Sequence, residues 1–263
     1  MAHQRGLAFF DAGRREDHFL DANWPDRPIV AFDLETTGVD PHEARIVTWA
    51  WAVVHPDGDA NAESGLVKPD GFEIPEGATA VHGISTEVAL AEGKSLAQAL
   101  TILSARIHNA AITGKPLAIF NAPYDITVFE AELARVAGVS AGEVDHTGDY
   151  PPIIDPLVLD RRIEKYRKGK RQLGILAPTY GVELAPEEAH SATADAIAAG
   201  RLALAMAAQH PDALRIPALH LHERQVAWAE TQTTDFEAYL RRSKSDPTIT
   251  LGRGWPRQHP VST

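Results

Sequence analysis

Residues 29–38 read Ile-Val-Ala-Phe-Asp-Leu-Glu-Thr-Thr-Gly. Ile29 to Phe32 form an apolar run of the kind a strand buries, and Asp33 and Glu35 follow it one residue apart. Residues two apart on a strand point to the same face, so the two carboxylates lie side by side where the strand leaves the core. Burying a carboxylate costs several kcal/mol unless something compensates it. A fold that uses this segment as a strand must therefore supply a partner for both charges.

The pattern around the segment gives that strand its neighbours. "VDPHEA" makes a turn at Asp40-Pro41, and "RIVTWAWAVV" is a second strand with Val47, Trp49, Trp51 and Val53 on one face. "PDGD" turns again and "AESGLVKP" is a third strand, which predicts an antiparallel meander. Beyond "TAVHGIS", the stretch "TEVALAEGKSLAQALTILSARIHNA" has helical spacing, with Leu96, Leu100, Leu103 and Ile107 on one face. "PLAIF" is a fourth strand that runs into the helix "NAPYDITVFEAELARVAG", which ends at Gly138 as a C-cap. "PPIIDP" is a fifth strand, and Asp155-Pro156 reads as an N-cap with proline at the first helical position. "LGILAPTYGVEL" and "HSATADAIAAGRLALAMAAQH" are further helical units. Strands alternating with helices after an antiparallel start predict an α/β fold with a mixed five-stranded sheet flanked by helices. Residues 28–210 would form that domain, preceded by a polar N-terminal extension over 1–27. The tail, 211–263, would supply a helical C-terminal extension ending in an irregular arm. Its helix groups Phe236, Tyr239 and Leu240 at i, i+3 and i+4. It could dock on its own domain, the simpler reading, or on a second subunit.

Composition narrows the function classes. Cysteine is absent from the 263 residues, which excludes disulfides, thiolate catalysis and zinc–cysteine sites. No apolar stretch has the roughly 18 residues of a membrane helix. The N-terminal apolar run is too short for a signal peptide, so a cytoplasmic protein without membrane contact is expected. The net charge of −11 argues against indiscriminate adhesion to nucleic acid. However, Arg161 to Arg171 reads "RRIEKYRKGKR", with seven basic residues and one acidic, leaving 18 basic and 35 acidic residues elsewhere. Such a run is either a solvated surface or a guide for a phosphate backbone.

Two further places deliver acids at the ends of core elements. In "FNAPYD", Asn121 follows the fourth strand and Asp125 lies one turn into the helix, on the sheet edge where α/β ligands gather. In "HSATAD", His190 precedes Asp195 by five residues. Each feature has an ordinary structural explanation when taken singly: turn capping for Asp33 and Glu35, a helix-dipole carboxylate for Asp125, an exposed histidine for His190. Asp155 fits a helix cap better than a site. Together, four carboxylates in one cleft would repel and raise some pKa values, and divalent cations would remove that repulsion. Oxygen ligands without cysteine or a histidine pair favour Mg²⁺ or Mn²⁺. Two such ions form the usual clamp for in-line attack on a phosphodiester.

The ordered set "DLETTG … NAPYD … HSATAD" resembles the three motifs of the DnaQ-like (DEDDh) 3′–5′ exonucleases, a family that includes the proofreading epsilon subunit of bacterial DNA polymerase III, oligoribonuclease and RNase T. The resemblance covers residues 28–210. A sister group carries tyrosine four residues before the last aspartate; here that position is Ser191, which places the chain in the histidine branch. The resemblance implies an RNase H-like fold and a two-ion Mg²⁺ or Mn²⁺ site held by Asp33, Glu35, Asp125 and Asp195. It implies His190 as general base, suited by an imidazole pKa near 6.5. Thr36 and Thr37, with His82 and Ile84 of "VHGIS", would meet the terminal nucleotide, and Asn121 would support the substrate or the helix start. The expected partners are single-stranded DNA or RNA 3′ ends, with a polymerase or a second copy reached through the tail. The expected activity is release of nucleoside monophosphates, from DNA in preference, in proofreading or repair. The alternatives are RNA trimming or short-oligonucleotide degradation, a small-nucleotide phosphodiesterase, and a catalytically silent binding scaffold.

Overall fold

The computed structural model describes residues 19–139, 150–184 and 191–259. Its centre is β1 (Ile29–Thr36), flanked on one side by β2 (Ile46–Val54) and then β3 (Ala60–Leu66), and on the other by β4 (Leu117–Ala118) and then β5 (Ile153–Ile154). β1, β2 and β3 pair antiparallel, while β4 is parallel to both β1 and β5. This is the mixed five-stranded sheet that the strand pattern predicts.

Alternation along β1 divides the core. Val30, Phe32 and Leu34 belong to one apolar cluster with Leu100, Leu103 and Ile107 of α3 (Leu96–Ile112) and Ile126 and Phe129 of α4 (Ala122–Ala137). Ile29 and Ala31 belong to the other, with Ala196, Leu202 and Ala203 of α7 (Ala192–Gln209). α7 approaches the sheet closely because it is built of small residues. A Cβ on Gly200 would stand 2.7 Å from Val54 Cγ2 and 3.3 Å from Ala31 Cβ.

The helical stretch after β3 is not one helix. It divides into α2 (Thr86–Glu92) and α3, following a short α1 (Glu76–His82). Gly93 sits where a Cβ would come within 2.6 Å of Lys68 N, and Lys94 pairs its backbone with Leu66 and Lys68. Ser95 then restarts the chain with a capping box to Gln98. Helical spacing continues across this break, so periodicity alone misses it.

α5 (Pro156–Ile163) and α6 (Leu173–Thr179) follow β5, while α8 (Pro211–Leu214) and α9 (Ala218–Ser243) follow α7. Both flanks of the chain fold back onto the domain. Phe19 and Trp24 are buried in the α7-side cluster, and the Trp24 indole donates to Leu214 O at 3.1 Å. α9 docks on its own domain, but not through Phe236 and Tyr239, which are 50% and 55% exposed. It lies along the open edge of β5. His222 Nδ1 accepts from Ile153 N at 3.0 Å, Gln225 Nε2 donates to Ile153 O at 2.9 Å, and Gln225 Oε1 accepts from Asp155 N at 2.8 Å. An unpaired strand edge needs such cover, and side-chain amides supply it where an apolar stripe could not. Among the described residues no helix is long and apolar enough to cross a membrane.

Gly200→Val should strain the α7–β1 contact. Overpacking of this kind costs about 1–3 kcal/mol, readable as a lower denaturation midpoint in guanidinium, whereas Gly200→Ala should cost less.

Candidate active site

The parallel strand β4 ends at Ala118, opposite Ala31, so further along β1 the backbone on that side has lost its strand partner. Asp125, one turn into α4, fills the gap: its Oδ1 accepts from Leu34 N at 3.1 Å, between Asp33 and Glu35. Two turns later on the same helix, Glu132 accepts from Ile46 N at 3.3 Å and pairs with Arg45 at 2.7 Å. These carboxylates pin α4 to the start of the sheet's catalytic edge.

Asp33 and Glu35 share the face of β1 that α7 covers, and α7 brings Asp195 to them in its first turn. One carboxylate oxygen from each of Asp33, Glu35 and Asp195 can be chosen so that all three lie within 4.8 Å of one another. All three side chains are partly accessible, whereas Asp125 is buried.

The charges are poorly tolerated without a cation. Burial raises the Asp33 carboxyl well above the usual range, and the charges of Asp125, Asp195 and Glu35 raise it further. Burial and then Asp195 push Glu35 up to about 8. Asp125 is raised by burial against the pull of the amides it accepts from. This donor set fits a hard divalent cation: oxygen-only, clustered, and mutually repulsive when bare.

The other expected residues fall into three groups. Thr36 stands at the mouth: its hydroxyl donates to Gly38 O at 3.0 Å and contacts the Tyr124 hydroxyl, which burial holds up at about 12. Thr37 is committed to the turn, because its N–H donates to Arg45 O and its Oγ1 accepts from Arg45 N. His82 and Ile84 are held locally, with Ile84 N donating to His82 Nδ1 at 3.1 Å, and Ile84 packs beside Val47, Ile74 and Ala89. No hydrogen bond or ion pair joins that pair to the carboxylates among the described residues. His190 lies outside the described residues.

Asn121 takes a left-handed conformation, φ 64°, at the start of α4. Its backbone N–H, with that of Ala122, donates to Asp155 at 3.0 Å. Asp155 caps α5 as expected, through Leu157 N, and also accepts from the Trp255 indole at 3.2 Å. One buried carboxylate thus ties α5 and the C-terminal arm to the start of α4, at Asn121 and Ala122, four and three residues before Asp125. The sequence offered Asp155 only as a helix cap, and nothing in it points to Trp255, a hundred residues away.

A family profile described as Exonuclease (RNase T) matches residues 30–203. No curated protein matches the chain in sequence. Solved structures do match in fold. Exonuclease I of E. coli in complex with a dA16 oligonucleotide is 20% identical with a TM-score of 0.58, over 71% of this chain and 42% of that one. The zinc-bound form of the E. coli ExoI–ssDNA complex is 21% identical with a TM-score of 0.57, over 71% and 41%. A moderately thermophilic Exonuclease I from Methylocaldum szegediense is 19% identical with a TM-score of 0.58, over 80% and 45%. The chain spans less than half the length of these structures.

With metal chelated, folded Glu35 keeps its proton up to about pH 8, against 4.5 for an ordinary glutamate. The folded state then binds more protons than the unfolded one across that interval, so stability falls as pH rises. In EDTA the melting temperature should drop by several degrees between pH 5 and pH 8, and Glu35→Gln should flatten the drop. Separately, Asp155→Asn turns an amide group toward two N–H donors and should cost at least about 2 kcal/mol in urea denaturation.

Proposed function

The chain belongs to the exonuclease family of DnaQ-like 3′–5′ exonucleases, and from that premise we propose that it removes nucleoside monophosphates from the 3′ end of single-stranded nucleic acid, DNA in preference. The observation that carries the reading is the convergence of Asp33, Glu35 and Asp195, with Asp125 accepting from the Leu34 N–H between the first two. A scaffold that only binds nucleic acid has no use for that repulsion. The bound oligonucleotides of the Exonuclease I structures support a single-stranded substrate.

Asp33, Glu35, Asp125 and Asp195 would together hold Mg²⁺ or Mn²⁺. Bound there, two ions supply the charge that stabilises attacking and leaving oxygens in an in-line displacement at phosphorus. The chain's own residues do the rest. Thr36, with Thr37, would bind the terminal sugar at the mouth of the site. His82 and Ile84 would contact the terminal bases, and Asn121 would fix the start of α4 and so the position of Asp125. His190 would take the proton from the attacking water; a neutral imidazole near pH 7 suits that role. Residues 28–210 would carry the activity, and the flanking segments would complete its packing.

The test is a time course on 5′-labelled single-stranded DNA and RNA of one sequence, with Mg²⁺, Mn²⁺ or EDTA. A metal-dependent ladder shortening from the 3′ end is expected, faster on DNA, and absent in Asp33→Ala and Asp195→Ala. His190→Ala should slow it by about 10²–10⁴-fold with metal affinity little changed. Faster shortening of RNA, or cleavage only of oligomers a few nucleotides long, would replace the DNA reading with the ribonuclease one.

A further inference from the structure

The basic run that starts in the last turn of α5 has no part in the site described above, and α9 carries two exposed rings, Phe236 and Tyr239, that its docking does not use. The two face each other. Arg161, Arg162, Lys165 and Arg171 line one wall of a groove of about 720 Å³, and Trp228 and Phe236 of α9 line the other. Two of the cations are engaged: Arg171 pairs with buried Asp160, and Lys165 stands 3.9 Å from Asp235. Arg161 and Arg162 make no ion pair among the described residues, although Arg161 feels the charges of Asp155 and Asp160, and the Arg162 guanidinium lies 5.5 Å from the Trp228 ring. Phe236, half exposed, stacks with Tyr239 at 6.3 Å and 15° between planes. Of the two, Phe236 lines the groove.

Cations outside any ion pair beside an exposed ring are the chemistry that holds a single strand, charge for the phosphates and a π-face for the bases. An acidic peptide would use the cations and leave the rings in water. The groove is also joined to the start of α4 through α5. α5 begins at Asp155, which holds the first amides of α4, and its eight residues span about 12 Å. The rest of the chain is acidic and would repel a strand, so a local cationic groove is what such a strand needs. Resting on the exonuclease reading, we propose that the groove between α5 and α9 binds the single strand a few nucleotides upstream of the 3′ end being cleaved.

The test uses the full chain and 5′-fluorescent oligo-dT of twenty and of four nucleotides, with binding read by anisotropy in EDTA across a salt series. The longer strand should bind more tightly. Arg161→Ala with Arg162→Ala should lower the log–log salt slope for it by about 1.4, the value for two phosphate contacts on a single strand. Phe236→Ala, an exposed position, should weaken the longer strand about tenfold, within the range for one stacked base. In both variants the ratio of kcat/KM for the longer over the shorter strand should fall about tenfold. Unchanged affinity for the longer strand in both variants would overturn the proposal, as would displacement of the strand by polyaspartate as readily as by unlabelled oligo-dT. A wild-type chain that cleaves neither strand would sink the exonuclease reading, while the EDTA binding data would still decide the groove.

Discussion

Asp33 and Glu35 occupy the face of β1 that begins with Ile29 and Ala31, and everything at the site follows from that shared face. The helix that seals Ile29 and Ala31 is α7, and its small residues let it lie close enough to the sheet for Gly200 to exclude a methyl group. Its first turn therefore presents Asp195 to the same two carboxylates. Hydrophobic burial supplies the energy, at roughly 25 cal/mol for each Å² removed from water, and the charge cluster is imposed on the helix that gains it. Burial of the acids, with their mutual repulsion added, is the cost of that geometry and raises the Asp33, Glu35 and Asp125 carboxyls.

A second set of contacts fixes Asp125 from behind. β4 and β5 are two residues each, too short to hold α4 by ladder bonds alone. Asp155 takes over, with two amides of α4, one of α5 and the Trp255 indole as donors. Gln225 and His222 of α9 close the β5 edge beside it. Arg257, paired with Glu130 at 3.2 Å, and Gln258, bonded to Thr127 at 2.9 Å, bring the end of the described chain onto α4 itself. The C-terminal segment is therefore part of what positions the candidate site.

The strands, the two faces of β1, the Gly138 cap and the Asp155-Pro156 helix start were legible because each rests on a local rule: alternation, a left-handed glycine, an N-cap. The three clustered carboxylates were legible as motifs, since each ends a core element. What escaped were contacts whose signal is not local. The break at Gly93 depends on Lys68 and Leu66 approaching from another element. The docking face of α9 mixes Ala218 and Leu221 with Gln225 and His222, which complete a strand edge, so a search for an apolar stripe selects Phe236 and Tyr239, which face water. Trp255 meets Asp155 only through the fold.

A divalent cation entering the cluster would have to displace the protons that the raised carboxyls hold. Titration of Mn²⁺ into the chain by calorimetry at pH 7, in buffers of different ionisation enthalpy, measures that exchange directly, because ligands must shed their protons to bind metal. Binding should be accompanied by release of protons from the cluster, with less release for Glu35→Gln. Binding with no proton released in any buffer, or no binding at all, would contradict it.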